Sequence, residues 1–364
     1  MNQRLHSFSQ WLQEQHISFA LITSTPNVFY LSGFYSDPHE RLLALLVFPN
    51  EEPVIVCPQM EVEQAKHSGW AYSLIGYSDT DHPWELIANY LKKLALPIEK
   101  VAVEKSHLSL ERYEQLHAYF TARSVLNAEE KLRQLRMIKD EKEIAILRQA
   151  AALADFGVEV GVQTIAEGKT ELDIIATIEH ELKKKGVREM SFATMVLTGE
   201  KTAAPHGVPD LTAIQQGDFV LFDLGVVLDG YCSDITRTVC FGKPTEEQKR
   251  IYETVLAAQQ AAIAAAKPGA IVGAIDKAAR QMIEEAGYGS YFTHRVGHGL
   301  GIEIHEYPSM NATNPMPLAQ GMVFTIEPGI YVPSVGGVRI EDDVLITDTG
   351  VEVLTNYPKE LIIL

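Results

Sequence analysis

The sequence predicts two domains, an α/β domain in the first third of the chain and an α+β domain with an internal repeat in the rest. Up to about residue 127, short apolar runs alternate with helical patterns, which is typical of a mixed or parallel sheet covered by helices. From Ala128 onward, long amphipathic helices are followed by hairpins, and glycines recur at a fixed spacing. We therefore expect one domain over residues 1–127 and a second over residues 128–364.

The first domain begins with a helical pattern over Arg4–Gln15 and a strand-like run over Phe19–Thr23. Further strands are predicted at the apolar or alternating runs that follow: Val28–Leu31, Leu42–Phe48, Pro53–Val56, Tyr72–Ile75 and Val101–Val103. Helical patterns separate them at Glu61–His67, Trp84–Leu94 and Leu110–Phe120. The sequence gives this domain no glycine-rich phosphate-binding loop.

The second domain contains four predicted helices arranged as two similar pairs. They lie at Ile138–Val160, Leu172–Lys185, Glu246–Ala266 and Ile271–Ala286, and Thr245 with Gln248 forms a capping box for the third. Gly168 and Gly186 bracket the second helix, and Gly269 and Gly287 bracket the fourth. Both intervals are 18 residues, and the two copies are 101 residues apart. Two halves related by a pseudo-twofold axis would bring their sheets together around one shared site.

Composition excludes several classes of partner. The chain has 364 residues, a net charge of −17 and three cysteines. Its basic cluster, Lys183–Lys185, ends a predicted helix, so nucleic acid is not expected as a partner. The N-terminus lacks the apolar core of a signal peptide, and the longest apolar run, Leu42–Phe48, is too short to cross a bilayer. We therefore expect no membrane partner. Cysteines scattered among apolar neighbours are typical of reduced thiols, so we also expect a cytoplasmic protein.

The stretch Gly217–Gly242 predicts a hairpin with Asp229 and Gly230 as its two-residue turn. This register places Leu228 opposite Tyr231 and Asp223 opposite Thr236. Because side chains alternate along a strand, Asp223, Asp234 and Thr236 then project from the same face. The two aspartates become diagonal neighbours with Cβ atoms roughly 7–8 Å apart. They are either metal ligands, with a cation relieving their repulsion, or edge aspartates that face solvent.

The repeat distinguishes between these alternatives. Glu327 lies 104 residues beyond Asp223, and Glu341 lies 107 residues beyond Asp234, both in strand-like runs. His206 has a similar counterpart in His305, 99 residues on. His298, between two glycines that permit close backbone approach, completes a predicted ligand set with the four carboxylates: Asp223, Asp234, His298, Glu327 and Glu341. Mostly carboxylate ligands suit a pair of hard or borderline divalent ions and hydrolytic chemistry rather than a structural zinc site.

Longer motifs give the site a family resemblance. They are Pro205-His206-Gly207, the Asp223–Asp234 hairpin, GHGLGIEIHEYP at 297–308, TIEPGIY at 325–331 and GGVRIEDD at 336–343. From Ala128 to its end the chain resembles the "pita-bread" metallopeptidases, which include methionine aminopeptidase, aminopeptidase P and prolidase. The first domain resembles the one that prolidases, aminopeptidases P and creatinases carry. The resemblance implies an α/β N-terminal domain followed by an α+β pita-bread (creatinase/aminopeptidase) catalytic domain with an internal pseudo-twofold repeat. The metal-free creatinase branch fits poorly because all five ligands are present.

The resemblance also implies roles for individual residues. Asp223 would hold one ion, His298 and Glu327 the other, and Asp234 and Glu341 both. Manganese is the metal we expect, with cobalt, zinc or iron as alternatives. Glu327 would also carry the proton from the attacking water to the departing amine. The remaining site residues implied are those that would bind substrate or the oxyanion: His206, His305, Arg339, Tyr331 and Arg295.

Three of these assignments have simpler alternatives. Arg339 is two residues before Glu341 and would temper the carboxylate charge, orient the substrate, or do both. Tyr331 follows a Pro-Gly turn and is either a substrate contact or a packing residue. Arg295 is either a reader of the substrate carboxylate or a surface arginine.

The expected activity is hydrolysis of the Xaa-Pro bond in dipeptides, as in prolidase. The alternative is an aminopeptidase P-like enzyme that acts on longer peptides, and a third possibility is a binding module that has kept the fold without catalysis. The proline ring would need an apolar pocket, for which the candidates are Phe192, Tyr231, Ile302 and Tyr307. The short chain favours prolidase.

If two subunits assemble, we expect the polar loop Gly33–Arg41 to take part in the active site. The family resemblance implies a homodimer formed through the N-terminal domains, with a loop of one subunit covering the active site of the other. His39, Glu40 and Arg41 make this loop the candidate, and His39 the predicted substrate contact. The simpler interpretation is a solvated surface loop.

Overall fold

A computed structural model describes residues 2–120 and 122–364 of the chain. Its internal contacts divide the protein into two compact units, residues 1–136 and 137–364. The boundary predicted at 127/128 therefore falls inside the first unit. The helix that follows it belongs to that unit because Arg136 Nη1 donates to Asn27 Oδ1 over 2.9 Å, and Tyr30 Oη donates to the Leu135 carbonyl over 2.9 Å.

The first unit contains six helices and one six-stranded sheet within the described residues. The helices are α1 (Gln3–Glu14), α2 (Thr25–Ser32), α3 (Val62–His67), α4 (Pro83–Lys93), α5 (Leu110–Tyr119) and α6 (Glu129–Met137). The strands are β1 (Phe19–Ile22), β2 (Ala44–Val47), β3 (Val54–Pro58), β4 (Ser73–Tyr77), β5 (Lys100–Val103) and β6 (Ser124–Asn127). Their order is β4-β3-β2-β1-β5-β6, with β2 antiparallel to both of its neighbours and the other pairs parallel. The predicted α/β class is thus observed as a mixed sheet.

The run Val28–Leu31, predicted as a strand, lies inside helix α2. Ser24 caps this helix by accepting a hydrogen bond from the Asn27 amide, and Pro26 occupies its first turn. Gly33 ends the helix in the left-handed region, with φ of 77°. These local start and stop signals override the strand propensity of a short apolar run.

The second unit contains four long helices, α7 (Glu141–Thr164), α8 (Glu171–Lys184), α9 (Glu246–Ala265) and α10 (Val272–Glu285). Its first strands are β7 (Glu189–Met190), β8 (Met195–Thr198), β9 (Asp218–Leu224), β10 (Val226–Leu228), β11 (Tyr231–Cys232) and β12 (Ile235–Phe241). Its later strands are β13 (Gly297–Gly299), β14 (Glu306–Met310), β15 (Val323–Ile326), β16 (Gly329–Val332), β17 (Gly336–Arg339), β18 (Asp342–Ile346) and β19 (Val351–Val353). Short 3₁₀ segments cover residues 59–61, 199–203 and 289–291.

The strands of the second unit form four small sheets. Their orders are β11-β10-β7, β12-β9-β8, β14-β13-β15-β18-β19 and β16-β17. One apolar core joins α7 and α8 to the sheet of β8, β9 and β12, and another joins α9 and α10 to the sheet of β13, β15 and β18. Helices pack in the same way on a sheet in each half, as the repeat predicts.

The glycine spacing has a conformational cause. Gly168 and Gly269 both have φ of 80°, and Gly186 and Gly287 have φ of 93° and 89°. Side-chain-bearing residues rarely adopt such values, so the same backbone turns recur in both halves. The capping box predicted for α9 is confirmed. Another capping box, at Asp140, starts α7 at Glu141 rather than at the predicted Ile138.

The central hairpin has the predicted turn and register. Asp229 and Gly230 both have positive φ, 47° and 83°, as a type I′ turn requires. Leu228 pairs with Tyr231, and Asp223 pairs with Thr236. Among the helices in the described residues, none combines the length and apolarity needed to cross a bilayer.

Candidate active site

A cavity of about 700 Å³ in the second unit is lined by all five predicted metal ligands. They come from strand ends of both halves: Asp223 on β9, Asp234 before β12, His298 on β13, Glu327 after β15 and Glu341 between β17 and β18. The pseudo-twofold repeat therefore brings its sheets to one site. Edge aspartates facing solvent do not describe this arrangement, since Asp234 is 4% and Glu341 2% exposed.

The potential ligand atoms are close together. One atom each from Asp234, His298 and Glu341 lies within 4.8 Å of the other two. His298 Nε2 is 3.7 Å from Asp234 Oδ2 and 3.5 Å from Glu327 Oε1. Such spacing would let a single ion contact several of these atoms at ordinary metal–ligand distances.

Hydrogen bonds hold the carboxylates in these positions. Thr236 Oγ1 donates to Glu341 Oε2 over 2.6 Å and accepts from Arg339 Nε over 3.1 Å. Arg339 Nη2 forms an ion pair with Asp223 Oδ2. Just before β12, the Asp234 amide donates to Asp343 Oδ2 over 2.9 Å. The Thr236 hydroxyl thus holds Glu341 and the Arg339 guanidinium holds Asp223, one carboxylate from each half.

Among the five predicted ligands, two buried carboxylate oxygens lack a partner within the described residues. They are Asp234 Oδ1 and Glu341 Oε1. An unpaired buried carboxylate oxygen is costly, because desolvation is not offset by a hydrogen bond. A bound cation would satisfy both atoms, so the residues present fit the metal that the sequence predicts.

The tautomer of His298 also fits a metal ligand. Its Nδ1 lies 3.1 Å from the Gly299 carbonyl oxygen, which can only accept, so Nδ1 carries the proton. The Nε2 lone pair then faces Asp234 and Glu327, an arrangement that a cation between them would stabilise. Burial lowers the pKa of His298 to about 3, with the neighbouring His305 adding to the effect, so the ring is neutral at physiological pH.

The acids of the site have raised pKa values without an ion. Burial, followed by the charge of Glu341, raises the pKa of Asp234 well above its ordinary value. Burial and the charge of Glu327 do the same to the pKa of Glu341. Burial raises the pKa of Glu327 to about 7, although Arg339 opposes this rise. A divalent ion would reverse these shifts by favouring the charged carboxylates.

The other predicted site residues of the second unit also line the cavity. The ring centroid of His305 lies 4.1 Å from that of His298. Arg295 is half-buried and donates through Nη1 to Ser309 Oγ over 2.9 Å, so it is more than a surface arginine. Tyr331 is buried, and Arg339 Nη1 donates to its hydroxyl over 3.1 Å.

His294 is a cavity residue that sequence reasoning missed. Its Nδ1 donates to the Arg295 carbonyl over 2.8 Å, so its Nε2 accepts from the Tyr331 hydroxyl over 2.8 Å. Burial lowers the pKa of His294 to about 4, which keeps the ring neutral. A chain of hydrogen bonds thus runs from His294 through Tyr331 to Arg339 and Asp223. The sequence offered one signal, its position four residues before His298.

Two further predictions concern the substrate pocket and the partner loop. Of the four candidates for an apolar ring pocket, Phe192 lines the cavity in the described part of the chain, whereas Tyr231, Ile302 and Tyr307 do not. His39 lies in the first unit, is exposed, and is 3.8 Å from Asp37 Oδ2 through Nδ1. Its contact with a partner's site stays a prediction.

The repeated α+β unit and its cluster of buried carboxylates and a neutral histidine define a hydrolytic metalloenzyme. The model of metallopeptidase family M24 matches residues 145–348, and that of the creatinase/prolidase N-terminal domain matches residues 4–138. The chain therefore belongs to metallopeptidase family M24 and is a hydrolase with the pita-bread fold and a creatinase-type N-terminal domain.

Relatives match nearly the whole chain. A protein of Bacillus subtilis (strain 168), provisionally named dipeptidase YkvY, is 56% identical over 99% of this chain and 99% of its own length. Among solved structures, the prolidase from Pyrococcus horikoshii OT3 is 37% identical with a TM-score of 0.91, over 99% of this chain and 100% of that one. The X-Pro aminopeptidase from Thermotoga maritima MSB8 is 31% identical with a TM-score of 0.87, over 96% and 99%.

Proposed function

We propose that the protein is a dipeptidase that hydrolyses Xaa-Pro bonds with two divalent ions bound in the cavity. The observation that carries the proposal is the pair of unpaired buried oxygens, Asp234 Oδ1 and Glu341 Oε1, beside the Nε2 lone pair of His298. Similarity to a prolidase over the full chain supports the substrate class. The binding-module alternative is disfavoured because all the candidate ligands line one cavity.

The ions would be held by Asp223, Asp234, His298, Glu327 and Glu341. The oxygen-rich set favours manganese, and cobalt or zinc would fit the same ligands. When bound, the ions would lower the pKa of a water and polarise the scissile carbonyl. The remaining catalytic work falls to side chains of the chain itself.

Glu327 is the proposed proton carrier. Its side chain is partly exposed to the cavity, and Oε1 accepts from Thr325 Oγ1 over 3.4 Å. A carboxylate positioned beside the attacking water can accept its proton and pass it on. Glu327 would take the proton of the attacking water and deliver it to the proline nitrogen, which must be protonated to depart.

Three basic side chains are proposed to bind the substrate. His206 and His305 face the cavity from the two halves and would donate to the substrate and to the developing oxyanion. Arg295, held by Ser309, would pair with the free carboxylate of a dipeptide. A carboxylate reader at this position favours dipeptides over longer chains, because a longer chain places its carboxylate elsewhere.

Arg339 and Tyr331 are proposed to set the charge and orientation of the site. Arg339 offsets the carboxylate charge at Asp223, and the Tyr331 hydroxyl orients the guanidinium by accepting a hydrogen bond from it. Phe192 would contact the proline ring, whose apolar carbons gain from leaving water.

A panel of peptides tests the proposed activity. After chelator stripping and addition of manganese, cobalt or zinc, we expect Xaa-Pro to be cleaved at least about tenfold faster than Xaa-Pro-Yaa, because only the dipeptide offers its carboxylate to Arg295. Equal rates on Xaa-Pro-Yaa would favour the aminopeptidase alternative. Cleavage confined to Met-Ala-Yaa, or to dipeptides without proline, would show that the Xaa-Pro dipeptidase assignment is wrong.

We further propose a cytoplasmic homodimer formed through the N-terminal domains. Three buried, free cysteines support a reducing compartment. The loop 33–41, whose His39 is exposed, would then cover the partner's cavity. His39→Ala is expected to raise KM several-fold with the metal content unchanged, whereas His67→Ala, an exposed histidine outside the loop, should leave KM unaltered. Unchanged kinetics of the His39 variant, or a monomer in sedimentation experiments, would remove the loop from the site.

A further inference from the structure

The loop at residues 204–211, here called the His206 loop, has little support of its own. Gly207 donates through its amide to the Ala204 carbonyl over 2.9 Å, while Val208 and Leu211 are 79% and 74% exposed. Within the described part of the chain, the imidazole of His206 has no hydrogen-bond partner. The position of this ring therefore depends on the backbone that carries it.

Three charged residues fasten the two ends of the loop to each other. Glu171, the first residue of α8, has a fully buried side chain, and its Oε2 accepts from Lys201 Nζ over 2.6 Å and from the Asp210 amide over 2.8 Å. Lys201 Nζ also lies 2.9 Å from Asp210 Oδ1. Glu171 Oε1 accepts from the Thr198 amide over 2.9 Å. Lys201 lies three residues before the loop, and Asp210 lies near its end. We call Glu171, Lys201 and Asp210 the loop latch.

The loop latch departs from the internal repeat. Val272 lies 101 residues after Glu171 and also opens a helix. The backbone contact is the same in both halves, since the Glu171 amide donates to the Thr212 carbonyl and the Val272 amide to the Met316 carbonyl, over 3.1 and 2.9 Å. The second half thus achieves this turn with an apolar side chain. Its own histidine, His305, gains support from the ring of His298 at 4.1 Å.

Fold stability alone does not explain why the first half has Glu171 where the second half has Val272. A buried carboxylate pays a desolvation cost that its ion pair roughly offsets, so an apolar residue would serve as well for folding. The carboxylate does what Val272 cannot, because it accepts from one residue at each end of the loop. Its presence only in the half whose histidine lacks ring support points to positioning.

We propose that the loop latch positions His206 for substrate binding, so that Glu171 and Lys201 are positioning residues of the peptidase. The inference rests on the substrate role proposed above for His206. Neither residue lines the cavity within the described part of the chain, and each acts through the loop backbone. Releasing the latch leaves the metal ligands in place and lets His206 move away from the substrate.

Glu171→Gln tests the proposal, because every group that contacts the carboxylate is a donor, so the amide nitrogen would face either the Thr198 amide or the donors of Lys201 and Asp210. We expect kcat/KM on an Xaa-Pro dipeptide to fall about 10–100-fold, as displacement of a positioning group by about 1 Å produces, with manganese stoichiometry unchanged. Lys201→Met, at a partly exposed position, removes the same link and should give the same loss. Glu181→Gln is the matched control, since its ion pair with Lys184 lies exposed on the same helix at 2.8 Å. It should leave the kinetics unaltered.

Latch variants made in the His206→Ala background show whether the latch acts through His206 or only stabilises the fold. If the latch acts through His206, Glu171→Gln or Lys201→Met in that background should reduce kcat/KM by less than about twofold, because coupled residues are not additive. A full multiplicative loss, loss of manganese, or wild-type kinetics in both latch variants would overturn the inference. A silent His206→Ala variant would instead show that the substrate role proposed for His206 is wrong.

Discussion

Asp234→Asn should nearly abolish manganese binding and hydrolysis. Asp234 is buried, has an unpaired Oδ1, and contributes one of the three ligand atoms that lie within 4.8 Å of one another. Removing a residue that hydrogen-bonds a metal ligand typically lowers metal affinity 10–100-fold. Removing the charge of a ligand itself should therefore weaken binding by more than about a hundredfold. Equilibrium dialysis against manganese and the rate on an Xaa-Pro dipeptide measure both effects.

Asp229→Asn provides the matched control for this prediction. It makes the same chemical change on the same hairpin, at the exposed turn, where Asn tolerates the positive φ of 47°. Its metal affinity and activity should equal those of the unmodified protein. An Asp234→Asn variant that binds two ions with unchanged affinity would contradict the ligand assignment.

Glu327→Gln should lower kcat about a thousandfold at saturating manganese. The amide keeps an oxygen near His298 Nε2, which lies 3.5 Å from Oε1, but it no longer accepts or delivers a proton. Positioned acid–base groups contribute roughly 10²–10⁴-fold to rate. The measurement is kcat for an Xaa-Pro dipeptide, with bound metal quantified in the same samples.

Metal occupancy decides how the Glu327 result is interpreted. We expect occupancy to stay high enough at saturating manganese that the loss of kcat exceeds any loss of ions. The exposed Glu284→Gln variant should behave as the unmodified protein. A loss of kcat that only parallels the loss of ions would leave Glu327 as a ligand without a proton-transfer role.

The features that sequence predicts well here are local or periodic. The Asp229-Gly230 turn sets the hairpin register because a two-residue type I′ loop permits one pairing, and the pairing puts Asp223 opposite Thr236. The repeat extends this local result across the chain, because equal backbone turns at Gly168 and Gly269 imply equal halves. The convergence of carboxylates from both halves was therefore predictable without coordinates.

Other features depend on contacts that the spacing of residues along the sequence does not reveal. Val28–Leu31 has strand-like composition, but the Ser24 cap and the Gly33 stop place it in a helix. His294 enters the site through a hydrogen bond to Tyr331, 37 residues away, and lies outside any helix or strand. The loop latch depends likewise on Glu171 and Lys201, which meet only after α8 and the 3₁₀ segment have packed.

The most direct test of the account is to count ions and follow activity in one titration. After chelator stripping, the protein should be inactive, should bind two manganese ions per chain, and should regain Xaa-Pro hydrolysis as they bind. Protons compete for Asp234, Glu341 and Glu327, whose pKa values burial raises, so the affinity for manganese should fall as pH drops below about 7. Full activity in excess chelator, or no bound manganese and no recovered hydrolysis, would contradict the proposed metal centre.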